Sequence, residues 1–129
     1  MKRRAIITGG ARRLGKAMAL NLAEQGIDIV VHFNSSSKEA EETRDDARKN
    51  GVNAEILRAD LLDMSDTIGL ISKASILIGG PFDILINNAS IFEYDNLETV
   101  DLTSWNRHLD SNLRSAVFLT QEFSKQAPK

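Results

Sequence analysis

Residues Thr8 to Gly15, reading TGGARRLG, have the make-up of a phosphate cradle. An apolar run, Ala5-Ile6-Ile7, comes before them, and a helical pattern, KAMALNLAEQ, continues as far as Gly26. A strand, a tight glycine turn and a helix start in that order leave backbone N–H groups without partners at the helix N-terminus. The helix dipole favours an anion at the same place. Gly9 and Gly15 let the backbone approach a ligand closely. The first sixteen residues also carry Lys2, Arg3, Arg4, Arg12, Arg13 and Lys16, and no acid. The chemistry indicated is binding of a dinucleotide with several phosphates.

The next candidate lies after the second apolar run. A dinucleotide fingerprint usually ends its second strand with an acid that holds a ribose 2′-hydroxyl. This chain instead reads His32-Phe33-Asn34-Ser35-Ser36-Ser37. Hydroxyls, an amide and the nearby Arg12 and Arg13 suit a 2′-phosphate, which a carboxylate would repel. The expected cofactor is therefore NADP(H) rather than NAD(H). The three serines also suit a helix cap, and one residue can serve both purposes.

Two further positions stand out. Asn87-Asn88 comes directly after an apolar strand, and the carboxyl end of a parallel strand is where open α/β sheets bind ligands. Two amides there can lock loops together. Trp105, Leu109, Asn112, Ala116, Leu119 and Phe123 recur at helical spacing and predict one apolar stripe. Asn112 sits in its middle, where a buried amide must find partners. Spacing leaves two readings open: an amide satisfying local backbone, or one holding a carbonyl and a water for a proton relay. His32 and His108 form no metal pattern, and no metal site is expected. His32 reads as an ordinary strand-end residue. Tyr94 reads as a loop residue packed on a neighbour.

These residues need elements to position them. Strands are expected at Arg4–Thr8, Asp28–Phe33, Val52–Arg58 and Asp83–Ile86. Between them run helices ending near Gly26, Asn50-Gly51 and Ile78. The second should be capped by a Ser36–Glu39 box, and the third by Ser65. A loop to about Thr103 leads into one long final helix. This β-α alternation predicts an α/β fold: an incomplete Rossmann-type, doubly wound parallel sheet, strand order 3-2-1-4, with four helices. Residues 1–129 should form one dinucleotide-binding domain.

Composition narrows the classes. The net charge of −2 indicates no bulk attraction to nucleic acid or membrane. There is no cysteine, which excludes disulfides, thiolate metal sites and cysteine nucleophiles. No apolar run reaches membrane-spanning length, and the basic N-terminus lacks the apolar segment of a signal peptide. Cytoplasm is the expected compartment.

Taken together, the motifs resemble the short-chain dehydrogenase/reductase family over essentially the whole chain. TGGARRLG is similar to that family's T-G-x-x-x-G-x-G, with Arg13 in place of the middle glycine. Ala59-Asp60-Leu61 resembles the family's A-D-L, and Asn87-Asn88-Ala89-Ser90 its N-N-A-G, with serine for glycine. Asn112 falls where the catalytic-tetrad asparagine lies. The arginine and the serine resemble the pteridine and dihydropteridine reductase branch. The resemblance implies that Gly9, Arg12, Arg13, Leu14 and Gly15 line the pyrophosphate. It places Asn34, Ser35 and Ser36 at the adenosine phosphate, and Asp60 and Leu61 at the adenine. It sets Asn87, Ala89 and Ser90 beside the nicotinamide ribose, and Ser90 and Phe92 at the substrate, with Phe92 stacking on a pterin. The implied reaction is hydride transfer from NADPH to a pterin C=N bond. A carbonyl substrate, such as a 3-oxoacyl thioester or sugar, is the alternative within the family. A non-catalytic NADP-binding module is the alternative outside it.

The resemblance also implies a chain about twice as long. Tyr94 does not match the family's Y-x-x-x-K, because Glu98 stands four residues on. The catalytic serine, tyrosine and lysine are expected after Lys129, so 1–129 alone should be an inactive cofactor-binding half. An uncovered fourth strand, or the apolar stripe of the last helix, should then promote homo-oligomers.

Overall fold

Strands buried on both faces need apolar side chains in both alternations, and the two central strands have them. The structure, a computed structural model, describes residues Met1–Lys129. Strands β1 (Arg4–Ile7), β2 (Asp28–Phe33), β3 (Ala54–Arg58) and β4 (Ile84–Ile86) form one sheet in the order β3-β2-β1-β4. All pairings are parallel, with Ile6 opposite Val30 and Leu85. The order and direction are those the alternation predicts.

Side-chain alternation divides the core into two layers. Ala5, Ile7, Ile29 and Val31 face helices α1 (Arg13–Glu24) and α2 (Ser37–Arg48), which present Ala19, Ala23, Ala40 and Ala47. These alanines allow the helices to lie close to the sheet. Ile6 and Val30 point the other way, onto Leu70, Ile71, Ala74 and Ile78 of α3 (Met64–Ile78). The same layer takes Leu119 from a C-terminal helix, Ser115–Gln126. Phe82 is fully buried in this second layer. No helix is long and apolar enough to cross a membrane.

The expected long final helix is divided. α4 (Leu102–Leu109) runs into a π-helical turn, Asp110–Arg114, before α5 (Ser115–Gln126) begins. A π-turn inserts a residue into the helical repeat and rotates the faces of α5 relative to those of α4. The predicted stripe is therefore split. Leu119 is buried and Phe123 packs beside it, whereas Trp105 and Leu109 stay exposed. Leu113 and Val117 continue the exposed side, with Leu102 at its start.

α5 is fastened to the segments flanking β4 by side-chain amides. Gln126 accepts from the Phe82 N–H at 2.7 Å and donates to the Phe82 carbonyl at 3.2 Å. The Asn87 amide donates to the Thr120 hydroxyl at 3.0 Å. Asn112, in the π-turn, accepts from the Ile91 N–H at 2.8 Å and donates to the Ile91 carbonyl at 2.9 Å.

Two caps differ from expectation. Ser36 does occupy the N-cap position of α2, but its hydroxyl makes no capping bond. α3 starts earlier than predicted, and its cap is Asp63, not Ser65. The Asp63 carboxylate accepts from the Asp66 N–H at 3.1 Å, while the Asp66 carboxylate accepts from the Asp60 N–H at 2.9 Å. A charged cap also suits the helix dipole. Asp63→Ala should therefore cost about 1 kcal/mol. Ser65→Ala, at an exposed helical position, should change stability by less than about 0.5 kcal/mol. Urea denaturation of both variants checks the assignment; a larger loss at Ser65 would reverse it.

Candidate functional site

The turn after β1 is held from several directions. The Thr8 hydroxyl accepts from the N–H groups of Asn88 and Ala89, each at 2.9 Å. The Asn88 amide donates to the Thr8 and Gly9 carbonyls at 3.1 and 3.2 Å. Asn88, of the two adjacent amides, is thus the loop lock. Thr43 of α2 donates to the Ala11 carbonyl at 3.0 Å. A Cβ on Gly15 would lie 2.2 Å from the Gly9 carbonyl oxygen and 2.6 Å from the Asn88 amide nitrogen. Only glycine fits, so the start of α1 rests directly on the turn.

That packing leaves donors open. The first backbone bond of α1 runs from the Lys16 N–H to the Arg12 carbonyl, at 3.2 Å. The N–H groups of Arg13, Leu14 and Gly15 have no acceptor within the helix. Arg12 and Arg13 are exposed and take part in none of the chain's ion pairs. Free amides, a helix dipole and two unpaired guanidinium groups make this end of α1 strongly anion-attracting.

Beside it opens a cleft of about 500 Å³, at the carboxyl ends of the strands. Gly9, Arg12, Arg13, Leu14 and Gly15 line one part, and Asn34, Ser35 and Ser36 another. Asp60 and Leu61 line the β3 side, and Ala89 and Ser90 the β4 side. These twelve predicted residues, from four separate segments, meet around one space. The volume and the donor set fit an extended polyphosphate ligand. No carboxylate comes directly after β2. Instead Arg58, at the end of β3, donates to the Asn34 carbonyl and side-chain oxygen, both at 3.1 Å. It fixes Asn34 and adds a cation near the serines.

Three predicted residues lie off this cleft. Asn87 is bonded to Thr120 on α5. Asn112 is exposed; its amide holds the N–H and carbonyl of Ile91, far away in sequence, and shapes the cleft through Ile91, which lines it. Phe92 is 85% exposed and is not among the residues that line the cleft. Tyr94, at 82% exposed, is likewise not packed on a neighbour.

Other residues on the cleft went unread in the sequence. Arg107 lines it and pairs with Glu93 at 2.7 Å. Ser111 lines it from the π-turn. The next residue to Arg107, His108, accepts from the Glu93 N–H at 3.0 Å, and its other nitrogen lies 2.8 Å from the Ser104 carbonyl. Asp95 takes hydrogen bonds from the Ser104 and Thr99 hydroxyls, in that order of effect, which hold its carboxyl below the usual range. These contacts tie the 91–101 segment to α4. His32 also lines the cleft and is buried, contrary to its reading as an ordinary strand-end residue.

Arg13 carries backbone strain. Its φ is 53°, in the left-handed region where side chains other than glycine are disfavoured. The guanidinium supplies no compensating bond inside the protein. Arg13→Gly should therefore leave the fold intact and raise its stability by up to about 1 kcal/mol, the relief being partly offset by the extra freedom of the unfolded chain. Chemical denaturation checks this; a clear destabilisation would show that the arginine supports the fold.

Comparison with known proteins gives a consistent neighbourhood. The family model described as short chain dehydrogenase matches residues 3–129. L-rhamnose 1-dehydrogenase (NADP(+)) of Thermoplasma acidophilum is 35% identical over 121 residues, covering 94% of this chain and 47% of that protein. A 3-oxoacyl-[acyl-carrier-protein] reductase of Staphylococcus aureus is 29% identical, over 98% of this chain and 51% of that one. Among solved structures, FolM alternative dihydrofolate reductase 1 from Brucella suis, in complex with NADP, superposes with a TM-score of 0.91 at 37% identity. The match covers 98% of this chain and 52% of that one. The chain spans about half the length of the curated relatives it matches.

Proposed function

Since the chain belongs to the short-chain dehydrogenase family, we propose that it forms the NADP(H)-binding part of an oxidoreductase acting on a pterin or dihydropteridine. The observation that carries the cofactor is the pairing of open α1 amides with two free arginines, opposite a β2 end that has no acid. Bound NADPH would supply a hydride. Arg13, Leu14 and Gly15 would hold the pyrophosphate through their backbone. Arg12, Arg13 and the Asn34–Ser36 segment would take the 2′-phosphate. Asp60 and Leu61 would border the adenine, and Ala89 and Ser90 the nicotinamide ribose. Asn87 and Asn112 would act at a distance, by fixing α5 and the Ile91 backbone.

The substrate reading rests on Arg13 and Ser90 standing where most of the family has glycine, and on the similarity to the Brucella dihydrofolate reductase. Phe92 is exposed and off the cleft, so its stacking on a pterin rests on the family resemblance alone. A carbonyl substrate is the second reading, favoured by the similarity to a rhamnose dehydrogenase and a 3-oxoacyl reductase. For assembly, the exposed run Leu102, Trp105, Leu109, Leu113 and Val117 supports association of copies along α4 and α5.

Calorimetry should show NADPH binding at least about tenfold tighter than NADH, a difference of about 1.4 kcal/mol. Arg12→Ala should narrow that ratio. Equal affinities would overturn the 2′-phosphate assignment. On the full-length gene product, NADPH oxidation should depend on a dihydropteridine; turnover with a 3-oxoacyl thioester or an aldose alone would select the carbonyl reading. Sedimentation at high micromolar concentration should reveal dimers or larger species, and Trp105→Asp should shift them to monomer.

A further inference from the structure

His32 is the penultimate residue of β2, and only 2% of it is exposed. A buried imidazole must satisfy two ring nitrogens, and this one does so on two different segments. Nδ1 accepts from the Gly9 N–H at 3.0 Å. Nε2 lies 2.8 Å from the Ala59 carbonyl. A carbonyl can only accept, so Nε2 carries the proton; a backbone N–H can only donate, so Nδ1 is bare. One neutral tautomer is therefore specified. The His32 carbonyl also accepts the Gly10 N–H at 3.1 Å. This single residue takes the N–H groups of both Gly9 and Gly10, which are thereby withdrawn from any ligand. It also ties the turn to the end of β3.

We infer that His32 is a positioning residue for the dinucleotide: as the neutral Nε2–H imidazole it fixes Gly9 in its left-handed conformation, so that the open amides of Arg13, Leu14 and Gly15 face the pyrophosphate. The inference rests on the NADP(H) reading above. Gly9 has a φ of 61°, and its carbonyl is already gripped by Asn88. The Nδ1 contact fixes the other side of the same residue. An apolar side chain of similar size would fill the space but orphan a partly buried N–H and a buried carbonyl.

The surroundings keep the ring uncharged. Burial lowers its pKa, against a smaller opposing effect of the Ala59 bond. Arg12 and Arg13 from the turn and Arg58 at the end of β3 are cations around this region, and Asp60 is the carboxylate on the β3 side. Protonation would set a second N–H against that of Gly9. Because the folded pKa lies below the unfolded one, the folded state gains nothing from acid. The stability associated with His32 is full above the ordinary histidine value of 6.5 and declines as pH falls through it.

Two amide substitutions separate the two nitrogens. Asparagine places an oxygen near Nδ1, and glutamine places its terminal amide near Nε2. His32→Leu should raise the NADPH dissociation constant by about tenfold or more. His32→Asn should recover most of that loss and His32→Gln little of it, whatever their order of melting temperatures. In ligand-free wild-type protein, nitrogen NMR should show a coupling across the hydrogen bond between the Gly9 amide and His32 Nδ1. The slope of stability against pH below 6.5 should be shallower in His32→Leu. Affinities that simply track melting temperature, or a proton found on Nδ1, would overturn the inference. Wild-type protein that binds no NADPH would overturn the cofactor reading, and this inference with it. NADPH binding equal in wild type and His32→Leu would overturn the inference alone.

Discussion

Four successive turn residues, Thr8 to Ala11, are each bonded to a distant part of the chain, and the site depends on that. Thr8 meets the backbone after β4, Gly9 meets Asn88 and His32, Gly10 meets the His32 carbonyl, and Ala11 meets Thr43. These polar groups are buried or partly buried, so losing a partner costs more than the bond itself is worth wherever water cannot replace it. The result is a rigid turn whose own polar groups are largely occupied internally. The donors left over belong to the next few residues, at the start of α1. An anion would find donors there that the Gly9 and Gly10 N–H groups, both bonded to His32, do not offer.

The same economy appears on the opposite side of the sheet. Asn112, Thr120 and Gln126 stitch α5 and the turn before it to Ile91, Asn87 and Phe82. β4 has only three residues and pairs only with β1. Its flanking segments therefore take their positions from the helix as much as from the sheet. The π-turn at Asp110–Arg114 is what lets Asn112 reach Ile91 while Ser111 turns toward the cleft. An uninterrupted helix would have kept Trp105 and Leu119 on one face. Instead Leu119 is buried and Trp105 exposed, and the helix serves the core and the surface with different ends.

The alternation of apolar runs with helical patterns carried the sheet order, because the central strands β1 and β2 are apolar on both faces and successive runs are separated by a helical pattern. Most of the cleft lining was legible for a related reason. The carboxyl ends of β1, β2, β3 and β4 converge, so residues just after each strand meet. Three features were not legible. Asp63 and Ser65 are both acceptable caps by type, and only the true helix start distinguishes them. A π-turn leaves no compositional mark, so the stripe read as continuous. His32 looked like one more strand residue, since nothing in its neighbours in sequence reveals that Gly9 and Ala59 close on it from two sides. Asn87 and Phe92 show the limit of motif spacing: adjacent residues can point to different surfaces.

If the open amides at the head of α1 receive the dinucleotide phosphates, their backbone signals must respond when the nucleotide arrives. Backbone amide NMR during NADPH titration should show the largest shifts at Arg13, Leu14 and Gly15. Ser35 and Ser36 should move for NADPH but not for NADH. Saturable binding whose largest shifts fall elsewhere, for example along α4, would contradict this placement of the phosphates.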